Sequence, residues 1–236
     1  MRNFMTMNNI VTAIIAAGGS GSRIPSQTSK QYLPLGGKPI IVYSYEKLAK
    51  NDKVDSVIIV AAENEISICE NIIAKYKVNN KPVKIIPGGS SRQQSVMHGL
   101  NACDENTKIV LIHDGARPFI TDEMICECIK TMDEYKACSV GVGVINTIKQ
   151  VDENDVVVNT LDRANIWEVQ TPQCFDYKLI RDLHIKAEDK DIYVTDDCAL
   201  AEINNIEVKM IKGSYDNIKI TVARDLFTAQ EIIKTI

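Results

Sequence analysis

The chain has 236 residues, of which 45% are hydrophobic and 25% are charged, and its formal net charge is −4. A chain of this length can bury about 70–75% of its unfolded surface, and the composition excludes a disordered, collagen-like or coiled-coil protein. The mildly acidic balance argues against a nucleic-acid binder, so a polyanionic ligand would need a local cluster of positive charge.

The longest apolar stretch is Ile10–Ala17. It is far shorter than the ~20 residues that a membrane-spanning helix requires, and its length and flanking glycines favour a buried strand over a signal peptide. The seven cysteines include no CxxC pair, and the three histidines are too dispersed for a zinc site. We therefore expect reduced, mostly buried thiols in a cytoplasmic protein that binds no membrane and offers no metal ligands.

Short β-rich runs alternate with helical patterns along the chain. The predicted strands are Val11–Ala17, Ser56–Ala62, Val83–Ile86, Lys108–Ile112, Ala137–Val144 and Val208–Ile211. The predicted helices begin at or near Pro39, Glu63, Ser91, Thr121, Tyr177, Thr195 and Arg224. Repeated βαβ units imply an α/β fold with a mostly parallel sheet and helices on both faces.

The alternation is interrupted between the strand that ends at Val144 and the helix near Tyr177. Ile145–Val151 and Val156–Leu161 alternate apolar and polar residues, and the acidic turn Asp152–Asp155 joins them. No helical pattern lies between these two runs. The sequence therefore predicts a β-hairpin inserted into the α/β chain.

Ligands of parallel α/β sheets bind beyond the carboxyl ends of the strands. Three chemically suggestive segments hold such positions: Ala16–Arg23, Gly88–Ser95 and His113–Pro118. Since the carboxyl ends of parallel strands meet at one edge of the sheet, we expect these segments to line a common site.

Ala16–Arg23, with the sequence AAGGSGSR, is a candidate phosphate-binding loop. Its glycines allow backbone N–H groups to approach an anion, and Arg23 and Lys30 supply positive charge. It differs from a dinucleotide-binding loop, because Pro25 prevents an immediate helix, and it lacks the GK[ST] ending of a P-loop. A flexible glycine loop is the alternative interpretation.

The segment His113–Phe119, with the sequence HDGARPF, directly follows an apolar strand. Asp114 stands where a carboxylate commonly meets a ribose or a metal-bound phosphate, although an aspartate there can also cap a turn. Arg117 could bind a phosphate through its forked guanidinium.

The segment Asp162–Gln173 contains Arg163 and Thr171, which offer a positive charge and a hydroxyl. The dipeptide Thr171-Pro172 predicts an extended turn, because the residue before a proline avoids helical backbone. Trp167 is the only tryptophan, and we expect it to pack in the core or at an interface.

Two further segments near the C-terminus place polar residues beside apolar ones. In Val194–Glu202, Thr195 is interpreted as a helix N-cap followed by two aspartates in the first turn, with a functional hydroxyl as the alternative. In Asp216–Thr221, Lys219 alternates with isoleucines, as on a strand. Its side chain is therefore expected to face either solvent or a cleft.

Taken in this order, the five segments that begin at Ala16, His113, Asp162, Val194 and Asp216 resemble the 2-C-methyl-D-erythritol 4-phosphate cytidylyltransferase family. HDGARPF, WEVQTPQCF, TDDCALAE and NIKIT are specific as a set, whereas the glycine loop alone marks a wider class of nucleotidyltransferases. The resemblance implies one Rossmann-like domain over residues 1–236, with a β-arm at about 144–167 that joins two subunits in a homodimer. It also implies transfer of CMP from CTP to a polyol phosphate, with Mg²⁺ carried mainly by the CTP phosphates.

The resemblance further implies roles for individual residues. The implied catalytic residues are Arg23, Lys30, Arg163 and Lys219. The implied nucleotide-binding residues are Ala17, Gly18, Gly19, Gly89, Ser95 and Asp114. The residues implied to bind the polyol phosphate are Arg117, Thr147, Arg163, Thr171, Thr195 and Lys219. Some of this last set would come from the partner's arm.

The sequence departs from the family pattern at Asn146, Ser90 and Ile24, where aspartate, an acidic residue and methionine are more usual. The loop AGGSGSR is also similar to that of ribitol 5-phosphate cytidylyltransferases, a sister group with DxVRP and YQGQTPQ in place of DGARP and WEVQTPQ. Methylerythritol phosphate is the favoured substrate and ribitol phosphate the alternative. A non-catalytic nucleotide-binding module is a more remote alternative, and a nicotinamide-dependent dehydrogenase is disfavoured by the loop geometry.

Overall fold

The computed structural model describes residues 9–19 and 28–235. In chain order the strands and helices are β1 (Ile10–Ala17), β2 (Pro34–Leu35), β3 (Lys38–Pro39), α1 (Ile40–Lys50), β4 (Ser56–Ala61), α2 (Ile66–Lys75), β5 (Val83–Pro87), α3 (Arg92–Asn101), β6 (Thr107–Asp114), α4 (Asp122–Thr131), β7 (Ala137–Gly143), β8 (Lys149–Val151), β9 (Val157–Thr160), β10 (Trp167–Asp176), α5 (Tyr177–Asp189), α6 (Cys198–Ile203), β11 (Lys209–Lys212) and α7 (Ala223–Ile232).

A sheet of seven strands forms the centre of the molecule, in the order β11-β7-β10-β6-β1-β4-β5. Each pair of neighbours is parallel except those that involve β10, which runs antiparallel to both β6 and β7. Helices α1, α2 and α4 pack on one face of the sheet, and α3, α5 and α6 pack on the other. The predicted α/β class with a mostly parallel sheet and helices on both faces is confirmed.

The interior strand β1 is apolar at every position except Thr12, because both of its faces are covered. Ala13 and Ile15 pack in the cluster formed with α1, α2 and α4, whereas Ile14 packs in the cluster formed with α3, α5 and α6. All three side chains are completely buried. Alternate side chains of a strand point to opposite faces, so a strand covered on both sides needs a continuous apolar run.

The strand β10 corrects one expectation, since the sequence predicts an extended turn at Thr171-Pro172. The dipeptide lies inside a ten-residue strand that pairs with β6 from Gln173 onward and with β7 on both sides of the proline. The pairing with β7 shifts register between Val169 and Gln173. Proline has no N–H to donate to the ladder, so the strand continues through an irregularity there.

The predicted hairpin is present as β8 and β9, which pair only with each other in a separate two-stranded sheet among the described residues. Its turn includes Asp155 at a φ of 62°. Val156, Val157 and Val158 are each more than half exposed. The hairpin therefore presents apolar side chains that no described part of this chain covers.

All seven cysteines are free thiols, and five of them are buried. Burial raises the pKa of the Cys69 thiol to about 11, which keeps that thiol protonated and unreactive.

Among the helices in the described ranges, none has the length and apolar character needed to cross a membrane.

Gly99 allows α3 to lie close to the sheet. A Cβ atom at this position would lie 2.7 Å from Ile14 Cγ2 and 3.2 Å from Val60 Cγ2. The glycine and both neighbours are buried. Because α3 begins at the carboxyl edge of the sheet, this close approach also determines where its first turn lies.

We expect Gly99→Ala to lower the free energy of unfolding by about 1–2 kcal/mol, because overpacking of the core outweighs the better helix propensity of alanine. Gly143→Ala is the control, since a Cβ atom there meets no atom within 4 Å. Urea unfolding of both variants measures the difference. A Gly99→Ala protein as stable as the wild type would show that the helix can move away from β1 at no cost.

Candidate active site

A cavity of about 410 Å³ opens at the carboxyl ends of β1, β5 and β6. The described parts of the three strand-end segments meet in it, as their positions in the sequence predict. The residues that line it are Ala16, Ala17, Gly18, Gly19, Lys30, Gln31, Gly89, Ser90, Ser91, Arg92, Ser95, Asp114, Ala116, Lys219 and Thr221.

Asp114 is the charged centre of this cavity. Its side chain is only 9% exposed, and Lys219 Nζ lies 2.7 Å from Oδ2. Arg92 Nε lies 3.3 Å from Oδ1, and Arg117 Nε lies 3.8 Å from Oδ2. Burial by itself would raise the pKa of Asp114, but these three cations outweigh it and hold the pKa below its usual range. The carboxylate is therefore ionised, and its oxygens face the three cations.

Arg92 is a member of the site that the motif analysis missed. It is the first residue of α3, and it connects Asp114 to Asp197, whose Oδ2 lies 2.7 Å from Arg92 Nη1. Asp197 is 1% exposed and also lies 3.1 Å from His184 Nε2. Desolvation opposes the charge on Arg92, but the two carboxylates outweigh it and raise the pKa of the guanidinium. The position of Arg92 in the strand-end segment Gly88–Ser95 was the available signal.

The glycines that precede α3 are held by side chains of its first turn. Ser95 Oγ accepts a hydrogen bond from the Gly89 amide at 3.1 Å and donates to the Ser91 carbonyl at 2.8 Å. Ser91 caps the helix by accepting from Gln94 N at 3.1 Å, as the sequence predicts. A helix N-terminus preceded by glycine amides is a favourable environment for phosphate.

Lys30 and Gln31 begin a short 3-10 turn, Lys30–Tyr32, that follows the glycine loop. Both residues line the cavity. The Gln31 side chain donates to the carbonyl of Ala17, the last residue of β1. Ser29 N donates to Glu65 Oε1 at 3.0 Å. These contacts fix Ser29 and Gln31 beside the cavity, whereas Arg23 lies outside the described residues.

Arg117 pairs with Asp114 but does not line the cavity. Its Nη1 donates to Asn217 O at 2.8 Å, and its Nη2 donates to Val169 O at 3.3 Å. Burial lowers its pKa, and Asp114 partly offsets this effect. The guanidinium links the turn after β6 to two other segments, a contact that motif reasoning did not foresee.

Thr171 is 5% exposed, and its hydroxyl faces the protein interior. Thr171 Oγ1 accepts from the Asp114 amide at 3.1 Å and lies 2.9 Å from His113 Nδ1. His113 is completely buried, and desolvation lowers its pKa to about 4. The role of Thr171 toward a polyol phosphate stays a prediction.

Lys219 lies in an extended segment outside the strands, and its ion pair with Asp114 shows that it faces the cleft rather than solvent. Thr147 and Arg163 lie on the arm, both exposed, and Arg163 Nη1 donates to Ile145 O at 2.9 Å. Trp167 is 38% exposed at the base of the arm, so the expectation of core packing is wrong, and packing at an interface stays a prediction.

Thr195 is exposed and does not cap α6, so the predicted N-cap is wrong. The N-cap is Asp197, and Asp196 Oδ1 accepts from Ala199 N at 3.2 Å. The side chain that accepts from the first turn of the helix is therefore that of Asp196, not that of Thr195. The functional alternative for the Thr195 hydroxyl stays a prediction.

The predicted site residues thus fall into two groups. Those that line the cavity are Ala17, Gly18, Gly19, Lys30, Gly89, Ser95, Asp114 and Lys219. Those in the described ranges that do not line it are Arg117, Thr147, Arg163, Thr171 and Thr195. Gln31 and Thr221 also line the cavity. The only feature of the sequence that indicated them is that each lies within two residues of a predicted site lysine, Lys30 or Lys219.

Within residues 9–19 and 28–235, no group of three or more His, Cys, Asp or Glu side chains could hold a metal ion. Asp114 is the acidic side chain of the cavity lining. This donor set fits a divalent cation bound mainly by phosphate oxygens, rather than one enclosed by protein ligands.

Sequence comparison identifies relatives of the whole chain. A family model described as 2-C-methyl-D-erythritol 4-phosphate cytidylyltransferase matches residues 11–235. A protein of that name from Clostridium kluyveri is 45% identical, and the alignment covers 94% of this chain and 96% of the relative. A protein of the same name from Clostridium acetobutylicum is 44% identical with the same coverage.

Solved structures are similar over the same extent. The structure of 4-diphosphocytidyl-2C-methyl-D-erythritol synthase from Anaerococcus prevotii superposes with a TM-score of 0.88 at 30% identity, covering 96% of this chain and 97% of that one. The 2-C-methyl-D-erythritol 4-phosphate cytidylyltransferase of Francisella tularensis superposes with a TM-score of 0.77 at 28% identity, covering 94% and 99%. The chain therefore belongs to the 2-C-methyl-D-erythritol 4-phosphate cytidylyltransferase family, a family of nucleotidyltransferases.

Proposed function

We propose that this enzyme transfers CMP from CTP to 2-C-methyl-D-erythritol 4-phosphate and releases pyrophosphate, in the synthesis of isoprenoid precursors. The observation that carries the proposal is the cavity in which Asp114 and Lys219 face the glycine loop and the first turn of α3. Glycine amides and a helix N-terminus are suited to bind the phosphates of a nucleoside triphosphate, and the lysine is suited to bind a second phosphate group.

The reaction requires little acid–base chemistry from the protein. A phosphate monoester has its second pKa near 6, so at neutral pH it is already largely the dianion that attacks the α-phosphorus of CTP. The difficulty is that two anions must come together, and like charges at ~4 Å repel by about 4 kcal/mol per unit pair at an effective dielectric near 20. Lys30 and Lys219, which both line the cavity, would offset that repulsion and stabilise the five-coordinate phosphorus.

Magnesium is part of this proposal. The ion would be bound mainly by the CTP phosphates, close to Asp114, and it would neutralise charge on the triphosphate and on the departing pyrophosphate. Among the described residues, Asp114 is the acidic side chain of the cavity lining, which is compatible with an ion that arrives with its nucleotide.

The arm supports a homodimer as part of the proposal. Arg163 and Thr147 are exposed on the arm and do not line the cavity of their own chain. Val157 and Val158 of the hairpin are more than half exposed. A two-fold pair in which each arm lies against the other subunit would cover these valines and bring Arg163 to the partner's cavity.

The seven free cysteines are consistent with a cytoplasmic enzyme.

We expect the purified protein to release pyrophosphate from CTP and magnesium when 2-C-methyl-D-erythritol 4-phosphate is added. Ribitol 5-phosphate is the matched alternative substrate, and omission of either polyol phosphate is the control. A higher kcat/KM with ribitol phosphate would contradict the substrate assignment but keep the reaction class. No pyrophosphate with either acceptor would indicate a non-catalytic nucleotide-binding protein.

We expect Lys30→Ala to lower kcat by about 10²–10³, which is the usual effect of removing one preorganised donor. The same loss is expected for Arg23→Ala. Lys186→Ala, at an exposed position of α5, is the matched control and should leave turnover unchanged. A loss below tenfold for Lys30→Ala in a folded protein would count against its role at the triphosphate.

We expect Arg163→Ala and Lys219→Ala to be nearly inactive separately but to recover about a quarter of wild-type activity after their subunits are mixed and exchanged. Half of the random dimers then contain both variants, and one of their two cavities is intact. A mixture of Lys30→Ala with Lys219→Ala is the control, because both lysines line the cavity of their own chain. Recovery only in the control mixture, or no recovery in the first, would contradict delivery of Arg163 by the partner.

A further inference from the structure

His113 is completely buried, and both nitrogens of its ring lie at hydrogen-bond distance from a partner. Nε2 lies 3.0 Å from the carbonyl oxygen of Arg117, and Nδ1 lies 2.9 Å from the hydroxyl of Thr171. A carbonyl oxygen can only accept, so Nε2 carries the proton. Thr171 Oγ1 already accepts from the Asp114 amide at 3.1 Å, so its own proton is available to donate to Nδ1. Complete burial disfavours a charged ring, so the ring is neutral, with its proton on Nε2 and the Thr171 hydroxyl as the donor to Nδ1.

These bonds join the two ends of the turn that follows β6. The Asp114 amide reaches the ring through Thr171, and the Arg117 carbonyl accepts from the ring directly. Arg117 N donates to Asp114 O at 3.0 Å and closes the turn. Ser44 Oγ donates to the same Arg117 carbonyl at 3.0 Å. His113 thus connects the turn to β10, while Ser44 connects it to α1.

The same turn positions the charged groups of the cavity. Asp114 at its start pairs with Lys219, and Ala116 O in its middle accepts from Ile220 N at 2.9 Å. Ile220 directly follows Lys219, so the lysine is fixed through its backbone as well as through its ammonium group. A shift of the turn would move the carboxylate and the lysine together relative to the glycine loop.

We propose that His113 is a positioning residue that, through Thr171 and the Arg117 carbonyl, fixes where Asp114 and Lys219 face the reacting phosphates. It touches neither substrate. The catalytic consequence rests on the proposed cytidylyl transfer, whereas the hydrogen-bond pattern does not depend on it. Because a displacement of about 1 Å can reduce turnover about a hundredfold, such an anchor has a measurable effect on the rate.

The first test determines which ring nitrogen of His113 carries the proton, by long-range proton–nitrogen NMR of the full-length ¹⁵N-labelled protein. The His113→Gln variant assigns the signal. We expect the Nε2–H tautomer for His113. His98 is the internal control, because its Nδ1 lies 3.0 Å from the Pro87 carbonyl and should carry the proton instead. A protonated ring or an Nδ1–H tautomer at His113 would overturn the proposal, whether or not the enzyme acts on methylerythritol phosphate.

The second test is kinetic. We expect His113→Leu, which keeps neither bond, to lower kcat about 30- to 100-fold while the KM for CTP changes less than about threefold. His113→Gln places an amide at the distance of Nε2 from the backbone, so it should donate to Arg117 and lose less than about tenfold. Calorimetric titration with CTP corrects each rate for the fraction of folded sites.

Coupling to Asp114 separates positioning from a general loss of structure. In an Asp114→Asn background, we expect His113→Leu to cost less than about tenfold further, because one of the two groups that it positions is gone and only Lys219 remains. An equal loss in both backgrounds, or equal losses for His113→Leu and His113→Gln, would overturn the proposal. A wild-type protein that turns over neither polyol phosphate would refute the proposed function, and the NMR result would then decide whether His113 holds the turn.

Discussion

The carboxylate of Asp114 is the interaction on which the cavity depends. It is nearly removed from water, and an ionised group in that position costs several kcal/mol unless opposite charges and hydrogen bonds compensate. Arg92, Lys219 and Arg117 provide that compensation from three different segments of the chain. One buried carboxylate therefore holds three positively charged side chains together at the cavity of a protein whose net charge is negative.

The pairing also fixes the cations before any substrate arrives. Arg92 is held between Asp114 and Asp197, and Asp197 lies at hydrogen-bond distance from His184, so this series of polar contacts joins α3 to α5 and α6. Side chains that are already oriented do not have to reorganise when charge develops on a reacting phosphate. The same arrangement connects the cavity to the packing of helices that lie outside it.

The sequence predicted the regular elements well because each has a local signature. Ala13, Ile14 and Ile15 belong to a run that only a doubly covered strand requires, and Ser91 precedes a helix that it caps. Prediction from the sequence failed where contacts between residues distant in the chain determine the local structure. Thr171-Pro172 predicted an extended turn, but β10 pairs with β7 on both sides of the proline and with β6 after it, so the strand continues through this position. Thr195 is a good N-cap by residue type, yet Asp197 holds that position.

By itself the sequence determined the α/β class, the inserted hairpin and the strand-end segments that form the cavity. These features follow from local patterns, because hydrophobic periodicity indicates which faces are buried and glycines indicate where the chain turns. Only the tertiary structure decided that Lys219 faces the cleft, that Arg92 belongs to the site and that the Thr171 hydroxyl points toward His113. The orientation of a polar side chain depends on the charge or hydrogen-bond partner it meets. Asp114 lies 105 positions before Lys219 in the chain, so only folding brings this carboxylate and lysine together.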